Sequence, residues 1–99
     1  PPFAYLCLLR FESEDEQKAM KLAQEQAEKL RNEARKMDVE LLILGPALAP
    51  LSRIKGIYRI QLLLKGATRN DIRKVLGALS NRPQSGVRQI LDVDPISML

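Results

Sequence analysis

Basic side chains cluster in one stretch of this sequence, and the chemistry they suit is the binding of an anion. Arginine and lysine at alternate positions of a strand, or four residues apart on a helix, share one face and can neutralise successive phosphates. We predict that the phosphate contacts are made by six cations: Arg53, Lys55, Arg59, Lys65, Arg69 and Arg73.

The net charge of +4 is unevenly distributed along the chain. Residues 1–50 carry seven Lys/Arg and nine Asp/Glu, whereas residues 51–99 carry nine and three. A basic half in a small domain indicates a polyanionic partner, although a basic surface without such a partner is an alternative. Tyr58 is the one aromatic residue near the basic stretch, so we expect contacts with the nucleic acid backbone or an exposed end, without sequence specificity.

The residues that most enzymes and metal sites need are missing from the sequence. There is no histidine, no phosphate-binding glycine motif, and a single cysteine, Cys7, which we interpret as a core residue. Asp92 and Asp94 share one strand face, but no third acid lies near them, and Asp94-Pro95 suits a turn that ends the strand. We therefore predict no catalytic residue, no metal and no cofactor in this chain.

The hydrophobic periodicity predicts four strands and two helices in the order βαββαβ. Strands are predicted over residues 3–11, 39–45, 56–66 and 87–94, the second ended by Gly45-Pro46. A capping box at Ser13 and Glu16 starts a helix that runs to about Lys36, and Thr68 with Asp71 starts a shorter one. This order is that of an α+β, split-βαβ (ferredoxin-like) fold, in which two helices cover one face of a four-stranded antiparallel sheet.

The length of 99 residues suits a single domain, residues 1–99. No apolar run is long enough for a membrane span, no signal peptide is visible, and the lone cysteine fits a reducing, cytoplasmic compartment. The opening Pro1-Pro2 indicates a piece cut from a longer polypeptide. Acylphosphatases share the βαββαβ plan, but they need an arginine-bearing phosphate loop after the first strand, where this chain has "ESEDE".

The sheet face away from the predicted helices has an unusual composition. Leucines occupy it where an exposed sheet would carry polar residues, which indicates docking on a neighbouring domain, provided that the strand register is not shifted by one. Arg59 and Gln61 lie on this face between apolar neighbours. Its predicted leucines are Leu6, Leu8, Leu42, Leu44 and Leu63.

Three motifs together resemble the C-terminal domain of primosomal replication-restart helicases (primosomal protein N′, PriA). They are the loop "GPALAP", the strand "GIYRIQLLLK" and the closing "LDVDP", and the resemblance extends from "PPFAYLCLLR" to the last residue. The family's fold is similar to that of a small ribosomal protein. Two positions depart from its pattern: Ile57 stands where many members carry a cation, and Ile60 where an aromatic residue is common.

The resemblance implies a non-catalytic domain of a bacterial, cytoplasmic DNA helicase that binds forks or single strands and packs on the helicase core. It also implies a pocket for the acidic tail of single-stranded-DNA-binding protein, with Gln61, Ile57 and Arg59 as candidate contacts and Lys55 as a substitute cation. ATP, magnesium and zinc would belong to the parent's other domains. The alternative is a protein-interaction module of the same fold that does not bind DNA.

Overall fold

A computed structural model describes residues 5–79 and 86–93 of the chain. Its elements are β1 (Tyr5–Ser13), α1 (Glu16–Lys36), β2 (Leu41–Ile54), β3 (Ile57–Gly66), α2 (Arg69–Leu76) and β4 (Arg88–Val93). The strands form one antiparallel sheet in the order β2-β3-β1-β4, and both helices pack on the same face. The predicted α+β, βαββαβ fold is confirmed. Phe3, Ala4, Asn81, Pro83 and Asp94, which entered the predictions, lie outside the described residues.

The core lies between the sheet and the helices. Alanines at helical spacing, among them Ala19, Ala23 and Ala27, are completely buried and let the backbone of α1 lie close to the sheet. From the sheet, alternate residues of β1 and β3 enter the same cluster. Cys7 is one of them and is fully buried, as predicted.

The start of α1 differs from the prediction. Asp15, not Ser13, is the N-cap, and its Oδ1 accepts hydrogen bonds from the backbone N–H groups of Gln17 at 3.0 Å and Lys18 at 3.2 Å. Ser13 ends β1 opposite Tyr58, so its backbone pairs with β3. Its buried hydroxyl donates to the Gly86 carbonyl at 2.6 Å and accepts from the Asp15 N–H at 2.9 Å. The predicted cap at Thr68 is confirmed, because its hydroxyl accepts from the Asp71 N–H.

The second strand is longer than predicted. Gly45-Pro46, a cis peptide, interrupts the pairing with β3 but does not end β2, which resumes at Ala47 and continues to Ile54. Gly45 has φ +102, and a Cβ there would lie 2.8 Å from the Gln61 carbonyl oxygen, so the bulge requires glycine. A proline is tolerated in β2 because an edge strand has N–H groups that need no partner.

A two-residue turn joins β2 to β3. Ile54 pairs with Ile57, and the two residues between them, Lys55 and Gly56, have φ +54 and +79. Positive φ at both positions is the signature of a type I′ turn, whose twist matches that of a hairpin. Lys55 therefore lies at the tip of the β2–β3 hairpin.

The face of the sheet away from the helices (the open face) carries the predicted leucines. The register places Leu8 and Leu44 on either side of Leu63, and Leu42 and Leu6 on either side of Lys65. The two central leucines, Leu6 and Leu8, are buried, whereas Leu42 and Leu44 near the edge are 39% and 43% exposed. No helix in the described part of the chain has both the length and the apolar character of a membrane span.

Candidate nucleic-acid interface

The tip of the β2–β3 hairpin presents Arg53 and Lys55. Both side chains are exposed, and neither forms an ion pair with a described residue. The Arg53 guanidinium lies over the ring of its strand partner Tyr58, with 5.1 Å between Cζ and the ring centroid. This cation–π contact orients the guanidinium while leaving its N–H groups available for an anion.

Arg59, unlike Arg53 and Lys55, forms an ion pair. It faces Glu12 across the β1–β3 ladder, and its Nε donates to Glu12 Oε2 at 3.2 Å. The two side chains are 26% and 14% exposed, so the pair is partly shielded from water. Arg59 can contact a phosphate or an acidic tail only by sharing or giving up Glu12.

The remaining predicted cations lie elsewhere. Lys65 is half-buried on the open face, whereas Arg69 and Arg73 are exposed on α2, on the opposite side of the sheet. The Arg69 guanidinium lies 5.1 Å from the centroid of the Tyr5 ring. Since β3 separates the hairpin from α2 by about 30 Å at 3.3 Å per residue, the six cations do not form one continuous patch.

The stretch that contains the hairpin is free of acids. Residues 41–70 include five Lys/Arg and no Asp or Glu. Glu12, the carboxylate that pairs with Arg59, comes from β1. The hairpin tip, which lies beyond the end of that ladder, therefore keeps its positive charge.

The predicted partner-binding residues Ile57, Arg59 and Gln61 share the open face, as their alternation in β3 requires. Ile57 lines a cavity of about 390 Å³ whose other walls include Glu12 and Glu14 as well as Arg88. The two carboxylates disfavour an acidic peptide in this cavity. Gln61 lies away from it, between Ala47 of β2 and Arg10 of β1.

Sequence reasoning did not assign Glu12 and Arg10 to the site. Arg10 is half-buried on the open face, and its Nε is buried and has no hydrogen-bond partner among the described residues. The alternation of β1 already placed Arg10 on the leucine face, but its position beside Gln61 depends on the strand register. No group of three metal-ligating side chains lies close together among residues 5–79 and 86–93, and Asp94 of the Asp92/Asp94 pair is outside them.

A comparison with models of known protein families identifies the family of this chain. Residues 1–96 match the family model of the primosomal protein N C-terminal domain. The chain belongs to this PriA C-terminal domain family. The resemblance predicted from the three motifs is thereby confirmed.

Two replication restart proteins illustrate the relationship. The chain is 37% identical over 99 residues to the probable replication restart protein PriA of Deinococcus radiodurans. It is 34% identical over 98 residues to the replication restart protein PriA of Haemophilus influenzae. The matches cover 98% and 96% of this chain but 10% and 13% of those proteins. The matched region is thus the small C-terminal domain, and any motor domain of the relatives lies outside it.

Proposed function

We propose that this domain is the non-catalytic DNA-binding and docking module of a replication-restart helicase, and that the β2–β3 hairpin contacts branched or single-stranded DNA. One observation carries the proposal: Arg53 and Lys55 are exposed at the hairpin tip, in a stretch without carboxylates, and neither forms an ion pair within residues 5–79 and 86–93. The relatives bear the name of replication restart proteins, which supports a role on DNA.

The geometry favours contacts with the phosphate backbone. The Arg53 guanidinium over the Tyr58 ring and the lysine on a tight turn supply N–H donors without a base-reading surface. The second cation group, Arg69 and Arg73, lies about 30 Å from the hairpin, which is close to the ~34 Å turn of B-form DNA. A branched substrate with two arms is suited to meet both groups.

Fluorescence anisotropy with labelled single-stranded and forked DNA at several salt concentrations tests the proposal. We expect weak binding that falls as salt rises, with a slope of log K on log salt of about −1.4 for two contacts to a single strand. No binding at low salt, or binding that salt does not change, would contradict the DNA-binding role.

The docking role rests on the open face. Its leucines and the unpartnered Nε of Arg10 suit a protein surface that supplies apolar contacts and an acceptor, and we assign that surface to the helicase core of the same polypeptide. Gln61, which lies away from the cavity lined by Glu12 and Glu14, would make the main contact with the acidic tail of single-stranded-DNA-binding protein. Ile57 would lie at the margin of that contact, and Arg59 would join it by sharing or giving up Glu12. In this role, ATP, magnesium and zinc are bound by the parent's other domains, and the assembly acts in the bacterial cytoplasm.

Calorimetric titration of the chain with a synthetic acidic tail peptide tests the tail contact. Gln61→Ala should weaken binding several-fold because the amide donor and acceptor are lost, while Gln24→Ala on the exposed surface of α1 should not. The alternative, a protein-interaction module that does not bind DNA, is favoured by the half-exposed leucines of the open face. Peptide binding combined with unchanged DNA anisotropy would support that alternative.

A further inference from the structure

The two edges of the sheet differ in how they are protected. The order β2-β3-β1-β4 makes β2 and β4 the edge strands. In β2, Pro46 and Pro50 remove N–H donors, and two register shifts break the regular spacing of the remaining groups. Prolines and bulges are features by which edge strands avoid pairing with another chain.

None of these features is present in β4. Its six residues pair with β1 without a register shift, and they include no proline or glycine. No described residue pairs with its outer edge, and two of its side chains, Leu91 and Val93, are 48% and 54% exposed. A regular, open edge with exposed apolar side chains is a template for pairing with another strand.

The charges of β4 indicate which strand fits. Arg88 and Asp92 are exposed on the same face, with Ile90 midway between them. Neither forms an ion pair with a described residue. The cross-strand neighbour of Arg88 is Glu12, which forms an ion pair with Arg59. The cross-strand neighbour of Asp92 is Leu8, which carries no charge.

We propose that β4 pairs antiparallel with β4 of a second copy of this chain, about a two-fold axis at Ile90. This register places Arg88 opposite Asp92 of the second copy, and symmetry repeats the ion pair on the other side of Ile90. A shift of two residues in one direction places Arg88 opposite Ile90, and the opposite shift places Arg88 opposite position 94, an aspartate, but leaves Asp92 opposite Ile90. The register centred on Ile90 is therefore the one in which Arg88 and Asp92 both face an opposite charge.

The helix side of β4 fits the same arrangement. Leu91 and Val93 border a cavity of about 460 Å³ whose other walls include Ile72 and Leu76 of α2. In the proposed register, Val87 of the second copy lies opposite Val93, and Gln89 lies opposite Leu91. The dimer would thus cover the most exposed apolar side chains of this edge while extending the sheet to eight strands.

The contact is small, so we expect a weak dimer whose population rises with protein concentration. Sedimentation equilibrium without DNA, over about a hundredfold range of protein concentration, measures the dimer dissociation constant. Because no DNA is present, the result does not depend on the hairpin's proposed DNA-binding role, and failure of one proposal can be distinguished from failure of the other.

Charge reversal gives the specific test. Asp92→Lys alone places lysine opposite Arg88 twice, and Arg88→Glu alone places acid opposite acid, so each should weaken dimerisation about tenfold. The double variant restores opposite charges at both positions and should dimerise within about threefold of the parent chain. Glu28→Lys on the exposed face of α1 makes the same charge change as Asp92→Lys and should leave the dimer constant unchanged. A double variant as weak as the single ones, or a parent chain monomeric throughout, would overturn the proposal.

Cross-linking provides a second measurement in case Arg88→Glu, which faces Glu12, impairs folding. The two-fold axis brings the Cα atoms of Ile90 and its copy to about 5 Å, within disulfide range. Ile90→Cys should therefore give a covalent dimer on mild oxidation. The parent chain, whose Cys7 is buried, and Glu28→Cys should remain monomeric. Equal cross-linking of Ile90→Cys and Glu28→Cys would contradict the two-fold position.

Discussion

Arg59 of β3 and Glu12 of β1 are cross-strand partners, joined by an Nε–Oε2 contact of 3.2 Å on the open face. This pair divides the basic stretch into a neutralised part on the sheet and an unneutralised part at the hairpin tip. It also provides a way to change the charge available to DNA without touching a cation.

Replacing Glu12 by Gln should release Arg59 for phosphate binding. We expect single-stranded DNA to bind about two- to fivefold more tightly, and the salt slope to steepen by about 0.7, the contribution of one further phosphate contact. The free energy of unfolding should fall by no more than about 1 kcal/mol because the pair is only partly buried. Glu14→Gln removes the same charge from an exposed neighbour outside the pair. If both variants change the salt slope equally, the release of Arg59 is not the cause.

Reversing the charges of the hairpin tip should weaken DNA binding more than the same reversal on α1. Arg53→Glu combined with Lys55→Glu removes both proposed phosphate contacts and adds repulsion. We therefore expect anisotropy to show at least a tenfold loss of affinity. The matched control, Lys18→Glu with Lys21→Glu, has the same net charge and changes exposed positions of the long helix. Equal losses would show that the overall charge, and not the hairpin, determines binding.

Ser13→Ala should destabilise the fold although it removes a single oxygen atom. The hydroxyl accepts from the Asp15 N–H and donates to the Gly86 carbonyl, and the residue is 4% exposed, so two backbone groups lose their partner. We expect a loss of about 1–3 kcal/mol in the free energy of unfolding, measured by urea titration. Ser52→Ala, in the half-buried part of β2, should stay within about 0.5 kcal/mol of the parent chain. A neutral Ser13→Ala would show that water replaces both bonds.

Two glycine-to-alanine substitutions should have opposite effects on stability. A Cβ on Gly66 would lie 2.9 Å from both Ile72 Cγ1 and Leu41 Cδ2, so Gly66→Ala should cost about 1–3 kcal/mol through overpacking. Gly77 has φ −60, and its nearest neighbour to a new Cβ is 3.4 Å away, so Gly77→Ala should add about 0.4–1 kcal/mol by restricting the unfolded chain. Thermal unfolding followed by circular dichroism compares the two, and a shift of equal sign would contradict the packing described at Gly66.

Much of the fold was predictable from the sequence because its signals are local. Alternation in β1 and β3 identified the core face, and Thr68 with Asp71 marked the start of α2. The errors have specific causes. The spacing of Ser13 and Glu16 is that of a capping box, but the pairing of Ser13 with Tyr58 extends the strand and leaves Asp15 to cap the helix. Gly45-Pro46 is an ordinary strand end unless the strand lies at an edge, where a bulge can accommodate it.

The candidate site was predictable in its residue types but not in its arrangement. The sequence identified the cations and the apolar second face, and the motifs that it carries placed the chain in its family. The six predicted cations are close together in sequence, yet the length of β3 separates the hairpin tip from Arg69 and Arg73. The neutralisation of Arg59 also depends on Glu12, a residue of another strand.

By itself, the sequence determined the order of the elements and the two faces of each central strand. These features follow from the spacing of side chains over a few residues. Only the tertiary structure decided which charges are neutralised and which edge is open. Glu12 and Arg59 are 47 residues apart, and Ser13 and Gly86 are 73 apart, so their contacts depend on strand order and register, which no local pattern encodes.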